Sequence, residues 1–288
     1  MDVNKIFCFV SAVGIFCIAG VIEKKDKIFS AREIEKNIAK VTDNLYAYKC
    51  ETSNAEYKTF TDFLRNENIE LYNKCRVDST GWYSFYKLQE PPIGNYYHRH
   101  PAFADYPVVN ITYEGATEYC KWLSEVYNKD PKRKFRKIVF TLPAEKEWTV
   151  ASQGGRSNSL YPWGNYYMAN KKGFYMCNFK EVGESHFVRD SLGNPMIVDY
   201  PGRLDLHSAE FPPEKTFFYT MKVKSFTPND LGIYNTSGNA AEMIIKPGYA
   251  MGGSWNSYGG EINTKSTKQY PFPSPEVGFR VFMKIIEQ

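Results

Sequence analysis

The cysteines and histidines of this chain have the clearest capacity for metal or redox chemistry. The chain has six cysteines and four histidines. Beyond the first 22 residues they are Cys50, Cys75, Cys120, Cys177, His98, His100, His186 and His207. No two of these cysteines are separated by two residues, as in zinc and dithiol redox sites, and the histidines do not cluster beside them. The sequence therefore predicts no metal site that depends on sulfur.

The same cysteines could form a disulfide bond or remain thiols. In an oxidising compartment, a bridge between Cys50 and Cys75 would close a loop of modest length. Cys120 lies at an apolar position of a helical pattern and is predicted to be a buried thiol. The spacing alone leaves the pairing of Cys50 with Cys75 open.

A second stretch of interest is the loop at residues 251–261, MGGSWNSYGGE. It combines four glycines with two aromatic residues and small polar side chains. Ser254 and Ser257 supply hydroxyl groups, but no cysteine of the chain lies beyond Cys177. The residue types by themselves leave the chemistry of this loop unspecified.

The composition indicates a globular protein with much irregular structure. The chain has 288 residues, of which 43% are hydrophobic, 24% charged and 16% aromatic, with 20 glycines and 16 prolines. Such a chain buries a core, and its many glycines and prolines favour turns and short strands over long helices. We expect an irregular α+β fold. The net charge of +4 does not point to nucleic acid.

The first 22 residues are typical of a targeting segment. A single lysine precedes an apolar run over residues 6–22, and charged residues follow. This pattern matches an export signal with cleavage after Ala19, or an uncleaved N-terminal anchor, since the run is at the short limit for crossing a bilayer. We therefore predict an exported protein of the periplasm or cell envelope and leave residues 1–22 out of the fold.

Helical periodicity is concentrated in the first half of the chain. Capping residues and apolar stripes predict helices at 30–41, 54–66, 112–127 and 143–153. The first is predicted to begin with a capping box of Ser30 and Glu33, and the last to stop at Gly154 or Gly155. The second half is predicted to hold turns and short strands, one of them within residues 217–226.

Seven motifs carry a resemblance to a known family. They are CETSNAEYKTFTDFL (50–64), YPVVNITYEGATEYCKWLS (106–124), TLPAEKEWTVASQGG (141–155), YPWGN (161–165), SFTPNDLGIYNTSGNAAEM (225–243), GGSW (252–255) and GFRV (278–281). Their content and order resemble the formylglycine-generating enzyme (sulfatase-modifying factor) family. Segments 100–116 and 170–180 are most similar to the gliding-motility lipoproteins of Bacteroidota.

The resemblance implies a single C-type-lectin-like domain at residues 42–288, preceded by a helical arm at 23–41. Short strands, few helices and long loops are typical of such a domain. Long loops need large side chains to hold them against a small sheet. The predicted anchors are Trp122, Trp148, Trp163 and Trp255.

The resemblance also suggests what the glycine-rich loop has lost. Catalytic members carry two cysteines, five residues apart, that bind copper as thiolates and oxidise a substrate cysteine. Their places fall at Ser257 and Ile262, and Cu(I) is selected by sulfur ligands. Ser254 matches the active-site serine, while Met243 and Thr141 replace a tryptophan and an arginine of the family motifs. Copper binding is therefore not expected, and the pocket is interpreted as degenerate.

The resemblance also raises calcium and iron as metals of the family. Asn239 and Glu242 match a calcium site, because a turn there could offer oxygen ligands to a hard cation. A second calcium site near Asn178 is not expected, because Glu214 and Lys215 stand where an aspartate is needed. Some relatives bind iron through three histidines. His98 and His100 are too few for that, and residues 23–41 are too short for the helical domain that such iron sites require.

These observations favour a non-catalytic, envelope-associated binding or assembly protein whose partner is an envelope or secreted protein. The alternative is an active oxidase that acts on a cysteine-containing protein, since family resemblance fixes fold better than chemistry. A weaker alternative is glycan binding by exposed aromatic residues. The candidates for that are Trp82, Tyr83, Tyr96 and Tyr97. No nucleic-acid partner is expected, and membrane contact is expected through the N-terminal segment alone.

Overall fold

A computed structural model describes residues 29–86, 94, 96–180, 187–189, 191–193, 195–197 and 219–287. The predicted targeting segment at 1–22 lies outside these residues. So do His186, His207, Glu214 and Lys215, on which parts of the sequence interpretation rest. Among the helices that are described, none is both long enough and apolar enough to cross a lipid bilayer.

The described residues form an α+β fold of six helices and ten short strands. The helices are α1 (Ala31–Lys36), α2 (Asn54–Glu67), α3 (Ile69–Cys75), α4 (Gly81–Tyr86), α5 (Tyr113–Lys129) and α6 (Glu145–Ser152). The strands are β1 (Ile38–Lys40), β2 (Leu45–Tyr48), β3 (Lys137–Thr141), β4 (Phe187–Arg189), β5 (Pro195–Ile197), β6 (Ala241–Met243), β7 (Tyr249–Met251), β8 (Thr267–Gln269), β9 (Val277–Gly278) and β10 (Phe282–Glu287). The predicted fold class is confirmed.

Two four-stranded sheets organise the fold. The first has the order β1-β2-β10-β3 with antiparallel neighbours, and the second has the order β8-β7-β6-β9, in which β6 and β9 are parallel. Strands β4 and β5 form a separate antiparallel pair. Because β9 belongs to the second sheet and β10 to the first, the three residues between them connect the two sheets.

The N-terminal part of the described chain is built into the first sheet. Ser30 caps α1 and accepts a hydrogen bond from the Glu33 amide, which is the Ser30 half of the predicted capping box. The helix then ends at Lys36 instead of continuing to residue 41. Residues 38–40 form β1, which pairs with β2. Ile34 and Ile38 are both buried. Their spacing fits a helix followed by a strand as well as it fits one long helix.

The other predicted helices are present with small shifts in their boundaries. Helix α2 is capped by Ser53, one residue before the predicted cap, in a reciprocal pair with Glu56. Thr112 caps α5 as predicted. Helix α6 ends before Gly154 and Gly155, whose φ angles of 63° and 85° are those that end a helix at low cost.

The predicted strand within residues 217–226 is not formed over its described part. Residues 219–226 form turns and irregular backbone. The Asn239 side chain accepts a hydrogen bond from the Met221 amide and donates one to the Met221 carbonyl. Since these are the groups that a neighbouring strand would bind, the side chain holds this segment as a loop.

The main core lies between helices α2 and α5 and the first sheet. Aromatic rings dominate it: Tyr57, Phe60, Tyr119 and Phe279 are all buried, with ring centroids between 5.4 and 6.0 Å apart. Each such ring buries roughly 150–250 Å² of surface. Cys120 lies in this core as a buried thiol, which confirms its prediction.

Candidate functional site

Two consecutive glycines set the path of the loop at residues 251–261. Gly252 and Gly253 have φ angles of 83° and 66°, which side-chain-bearing residues rarely adopt. A Cβ atom at Gly252 would lie 2.8 Å from the Trp148 ring, and one at Gly253 would lie 2.6 Å from the Glu261 carbonyl oxygen. The loop therefore needs both glycines, for conformation and for space.

The two serines of this loop bind to each other. Ser254 and Ser257 are 0% and 4% exposed, and their hydroxyl oxygens lie 3.3 Å apart. The Ser257 hydroxyl also accepts a hydrogen bond from the Ser254 amide, and the Ser254 hydroxyl accepts one from the Asn256 amide. The hydroxyl that stands at the first thiolate position thus stabilises the turn of its own loop.

The second position that the resemblance assigns to a thiolate holds an apolar side chain in an apolar cluster. Ile262 is 0% exposed and packs with Tyr161 and Cys177. Cys177 brings a sulfur atom into the same cluster, but burial raises the pKa of its thiol far above the usual range. A thiol that stays protonated is not the thiolate that Cu(I) requires.

The described residues around this loop do not fit a copper ion. One of the two expected sulfur positions holds a hydroxyl and the other holds an alkyl group. Met243, at the place of a family tryptophan, is fully buried in the main core. Across the described part of the chain, no group of three or more His, Cys, Asp or Glu side chains could hold a metal ion.

A cavity of about 420 Å³ opens beside the loop. Its walls carry polar side chains from the loop, from the following segment and from the residues before β9. The seven that matter below are Asn256, Ser257, Glu261, Ser266, Thr267, Lys268 and Glu276. Glu276 is 7% exposed, forms an ion pair with Lys268 and accepts a hydrogen bond of 2.5 Å from the Asn256 amide group.

A second polar region, the Arg280 network, lies in the interior. Arg280 is in the connection between β9 and β10, and its side chain and that of Glu242 are each 1% exposed. The guanidinium donates from Nε and Nη2 to the Glu242 carboxylate, at distances between 2.5 and 3.1 Å. It also donates to the carbonyl oxygens of Tyr48 and Tyr234, and Trp148 donates its indole N–H to Glu242.

Glu51 adds a second buried carboxyl group to the Arg280 network. It is 1% exposed and accepts hydrogen bonds from the side-chain amides of Asn235 and Asn239, at 2.9 and 2.7 Å. Burial raises the pKa of Glu51 to about 8, against the opposing effect of Arg280. Below that pH Glu51 is protonated, and the Arg280–Glu242 ion pair leaves the network without net charge.

The arrangement of Asn239 and Glu242 does not fit a calcium ion. Both carboxylate oxygens of Glu242 accept hydrogen bonds from Arg280 or Trp148. The Asn239 side-chain oxygen accepts from the Met221 amide at 2.6 Å. A divalent cation here would displace these donors and lie beside a guanidinium cation. Calcium at this pair stays a prediction that metal analysis has to decide.

The histidine and cysteine candidates are held in structural roles. His98 Nε2 receives the indole N–H of Trp82, and burial lowers the pKa of His98 to about 3, so that it stays neutral. His100 caps a short 3₁₀ helix through Nδ1. Cys50 and Cys75 are free thiols, which answers the pairing question left open by their spacing.

Two of the four aromatic residues proposed for glycan binding are buried. Trp82 and Tyr97 are both 0% exposed, whereas Tyr96 is 54% exposed. Since a sugar can stack only on an accessible ring, this set of four does not form the predicted surface. Exposed rings lie elsewhere, at Tyr166, Tyr167 and Phe174.

Sequence reasoning missed Arg280, Glu51 and Glu276 as members of polar sites. Arg280 stands between apolar residues in the GFRV motif. A charged residue in such a setting indicates a buried, paired side chain. Glu51 also stands inside one of the motifs, CETSNAEYKTFTDFL, whereas Glu276 lies outside the seven motifs. The partners of Glu51 are far away in the sequence, and Asn239 is 188 residues from it.

Comparison with known proteins places this geometry in a family context. The sequence matches the family described as "Sulfatase-modifying factor enzyme 1-like domain" over residues 24–285. The formylglycine-generating enzyme of Bos taurus is 25% identical over 223 residues, which are 69% of this chain and 48% of that protein. The "Inactive C-alpha-formylglycine-generating enzyme 2" of Bos taurus is 24% identical over 184 residues, 60% of this chain and 44% of that protein. The chain therefore spans just under half the length of these relatives.

The solved structures that match this chain are more distant in sequence. The "Crystal Structure of CarF" is 17% identical, with a TM-score of 0.49 and coverage of 86% of this chain and 93% of that chain. The "Structure of PvdO from Pseudomonas aeruginosa" is 14% identical, with a TM-score of 0.47 and coverage of 83% and 80%. Because the family match extends over residues 24–285, the chain belongs to the sulfatase-modifying factor enzyme 1-like family.

Proposed function

We propose that this chain is a non-catalytic member of its family that serves as a binding or assembly component of the cell envelope. The observation that carries the proposal is the pair of positions Ser257 and Ile262. One holds a hydroxyl that is bound within its own turn, and the other holds a buried alkyl group. Without a thiolate pair, the scaffold lacks the ligands for the copper chemistry of the catalytic relatives.

Two further observations support this proposal. The fold is kept while the thiolate positions are changed, which is expected if selection acts on a surface and not on a reaction. A relative that is 24% identical carries the name "Inactive C-alpha-formylglycine-generating enzyme 2", so the same family includes at least one other protein named as inactive. Fold and chemistry are separable properties of a domain.

The envelope location rests on the sequence. The apolar run at residues 6–22, preceded by a lysine, is typical of an export signal or anchor. The segments 100–116 and 170–180 resemble the gliding-motility lipoproteins of Bacteroidota. An envelope or secreted protein is the partner class that suits an exported, non-catalytic domain.

The competing proposal is an active oxidase, and one feature of the structure gives it a specific form. Cys177 lies in the same apolar cluster as Ile262, so a single thiol is close to one of the lost thiolate positions. An oxidase built on Cys177 would need that thiol ionised, whereas burial raises its pKa. The Cys177→Ser variant separates the two proposals.

The decisive experiment measures copper binding and oxygen consumption by the purified chain. The protein is titrated with Cu(I) and with Ca²⁺, its metal content is measured by elemental analysis, and oxygen uptake is followed with a cysteine-containing sulfatase peptide. We expect no stoichiometric copper and no peptide-dependent oxygen uptake. Calcium retained at one equivalent would support the sequence prediction for Asn239 and Glu242.

Turnover of the peptide would overturn the non-catalytic proposal. If that turnover disappears in Cys177→Ser but persists in Cys50→Ser, the oxidase built on Cys177 replaces it. Cys50 is a suitable control because it is also a free cysteine but has no place in the cluster around Ile262.

A further inference from the structure

The polar cavity beside the glycine-rich loop is a site without an assigned ligand. Its volume of about 420 Å³ lies within the range of roughly 300–1,000 Å³ that is usual for small-molecule sites. Two of its polar wall residues are more than nine-tenths buried, namely Ser257 at 4% and Glu276 at 7% exposure. Both groups have partners in the protein, and the remaining acceptor positions of a hydroxyl and a carboxylate can still bind a ligand.

The cavity wall carries two carboxyl groups and one ammonium group, those of Glu261, Glu276 and Lys268. Glu276 pairs with Lys268 and is bound by Asn256, while the exposed Glu261 accepts a hydrogen bond from the Tyr258 amide. The two carboxyl groups would repel an anionic ligand, and a cationic ligand would have to compete with Lys268 for Glu276. A neutral ligand can add hydrogen bonds to the same groups and leave the pair in place. The wall therefore favours a neutral ligand.

The wall also alternates hydrogen-bond donors and acceptors. A carboxylate has about four acceptor positions and an ammonium has three donors, of which the Glu276–Lys268 pair and Asn256 use only some. Ser266 and Thr267 add hydroxyl groups that can donate and accept. The ligand group that matches such a mixed wall is the hydroxyl, which donates and accepts at once. Several adjacent hydroxyls on a neutral molecule describe a saccharide.

A cluster of aromatic residues is linked to the cavity lining through Gly259. Gly260 lines the cavity, and the carbonyl of the preceding Gly259 accepts a hydrogen bond from the Tyr161 hydroxyl. Tyr161 stacks on Trp163 with the centroids 5.1 Å apart, and Trp163 donates to the Tyr167 carbonyl. Tyr167 is 76% exposed. Exposed rings offer flat apolar faces to the C–H faces of sugar rings.

We propose that this cavity binds a neutral saccharide, with Glu276, Asn256 and Lys268 as its hydrogen-bonding floor. The proposal rests on the proposed non-catalytic function, because it assigns a ligand to the pocket that replaces the copper site. It moves glycan recognition from the region of Trp82 and Tyr97, which are buried, to the glycine-rich loop.

Two variants of the full chain test the site. Gly260→Trp introduces a large ring into the cavity lining, at a position where a Cβ atom has no neighbour within 4 Å. Asn256→Ala removes an amide from the floor. Lys265→Trp is the matched control, since it places the same ring at an exposed position of the same segment outside the cavity lining. Thermal unfolding of each variant verifies that it folds.

The measurement is isothermal titration with neutral oligosaccharides, namely cellotetraose, mannotetraose, laminaritetraose and chitotetraose. We expect at least one of them to bind and its affinity to fall about tenfold or more in Gly260→Trp and Asn256→Ala, with Lys265→Trp unchanged. Absence of binding to all four, or binding that both cavity variants retain, would overturn the proposal. Neither result would restore oxidase activity, which the copper and oxygen measurements test separately. A cysteine-containing peptide that binds and is blocked by Gly260→Trp would instead assign the cavity to peptide.

Discussion

The Arg280 network and the glycine-rich loop are two polar regions of the fold that differ in how their polar groups are paired. The network joins side chains from distant parts of the chain, whereas the loop is one continuous segment. In the Arg280 network, one guanidinium binds a buried carboxylate and two backbone carbonyls. In the loop, Ile262 is apolar, and the Ser257 hydroxyl binds Ser254 within its own turn. Substitution in a network that joins two sheets disturbs several elements at once. Substitution in a loop can be accommodated by local repacking.

This difference predicts where substitution destabilises the protein. Each member of the network depends on partners from other elements, so the loss of one leaves buried charge or buried carbonyls unpaired. In the loop, the Ser257 hydroxyl is hydrogen-bonded to Ser254, and the Ile262 side chain is packed in an apolar cluster. We therefore expect structural defects from the network and binding defects from the loop.

The largest effect is expected for Arg280→Met. Methionine keeps much of the volume but leaves the Glu242 carboxylate buried without its ion-pair partner. Breaking one side of such a buried pair costs about 3–5 kcal/mol in the free energy of unfolding. Chemical denaturation with urea measures this loss.

The control for this prediction is Arg156→Met, which removes another Arg–carboxylate pair of similar geometry. Arg156 donates to Asp230 through two nitrogens at 2.6 and 2.9 Å, but both side chains are largely exposed. Solvent and salt screen exposed pairs. Equal losses of unfolding free energy in the two variants would show that the buried Arg280–Glu242 pair stabilises the protein no more than an exposed pair does.

The second prediction concerns the pH dependence of stability. The pKa of Glu51 is about 8 in the folded protein, against a usual value near 4.5, so the folded state holds a proton that the unfolded state releases. Stability should therefore fall as the pH rises from about 4.5 to 8, by at most about 1.4 kcal/mol for each pH unit, and level off above pH 8.

The variant Glu51→Gln isolates this contribution. Glutamine cannot ionise, so the part of the pH slope that comes from Glu51 should disappear between pH 5 and pH 8. Urea unfolding at several pH values measures the slope for both proteins. A slope that remains unchanged in Glu51→Gln would mean that Glu51 is ionised in the folded protein and that the network carries a net charge.

The sequence contained enough to place α2, α5 and α6, because their caps and apolar stripes are local patterns. Thr112 and the apolar stripe of α5 define that helix within one segment. The assignment of Ser257 and Ile262 to the thiolate positions stays a prediction of the family resemblance. Local spacing also explains the error after Lys36, where the same apolar residues fit a helix or a strand.

The Arg280 network was beyond such patterns, because its contacts join residues that are far apart in the chain. Arg280 and the Tyr48 carbonyl are separated by 232 residues, and Arg280 and Glu242 by 38. No spacing rule connects these positions. The pairing of Lys268 with Glu276 joins residues that are close in the sequence, but it depends on how β8 lies against the segment before β9.

The smallest effect is expected from the backbone of the loop, and it tests whether the loop is as tolerant as the comparison implies. Gly253→Ala adds a methyl group at a φ of 66°, where it meets the Glu261 carbonyl oxygen and the Ile262 side chain. Gly155→Ala is the control, because its φ of 85° imposes similar backbone strain with no atom within 4 Å. Backbone strain of this kind costs about 1–2 kcal/mol, and the crowding at Gly253 should add to that in urea unfolding. Equal losses for the two variants would show that the loop shifts to make room, and the cavity beside it would then be adaptable in shape instead of fixed by its glycines.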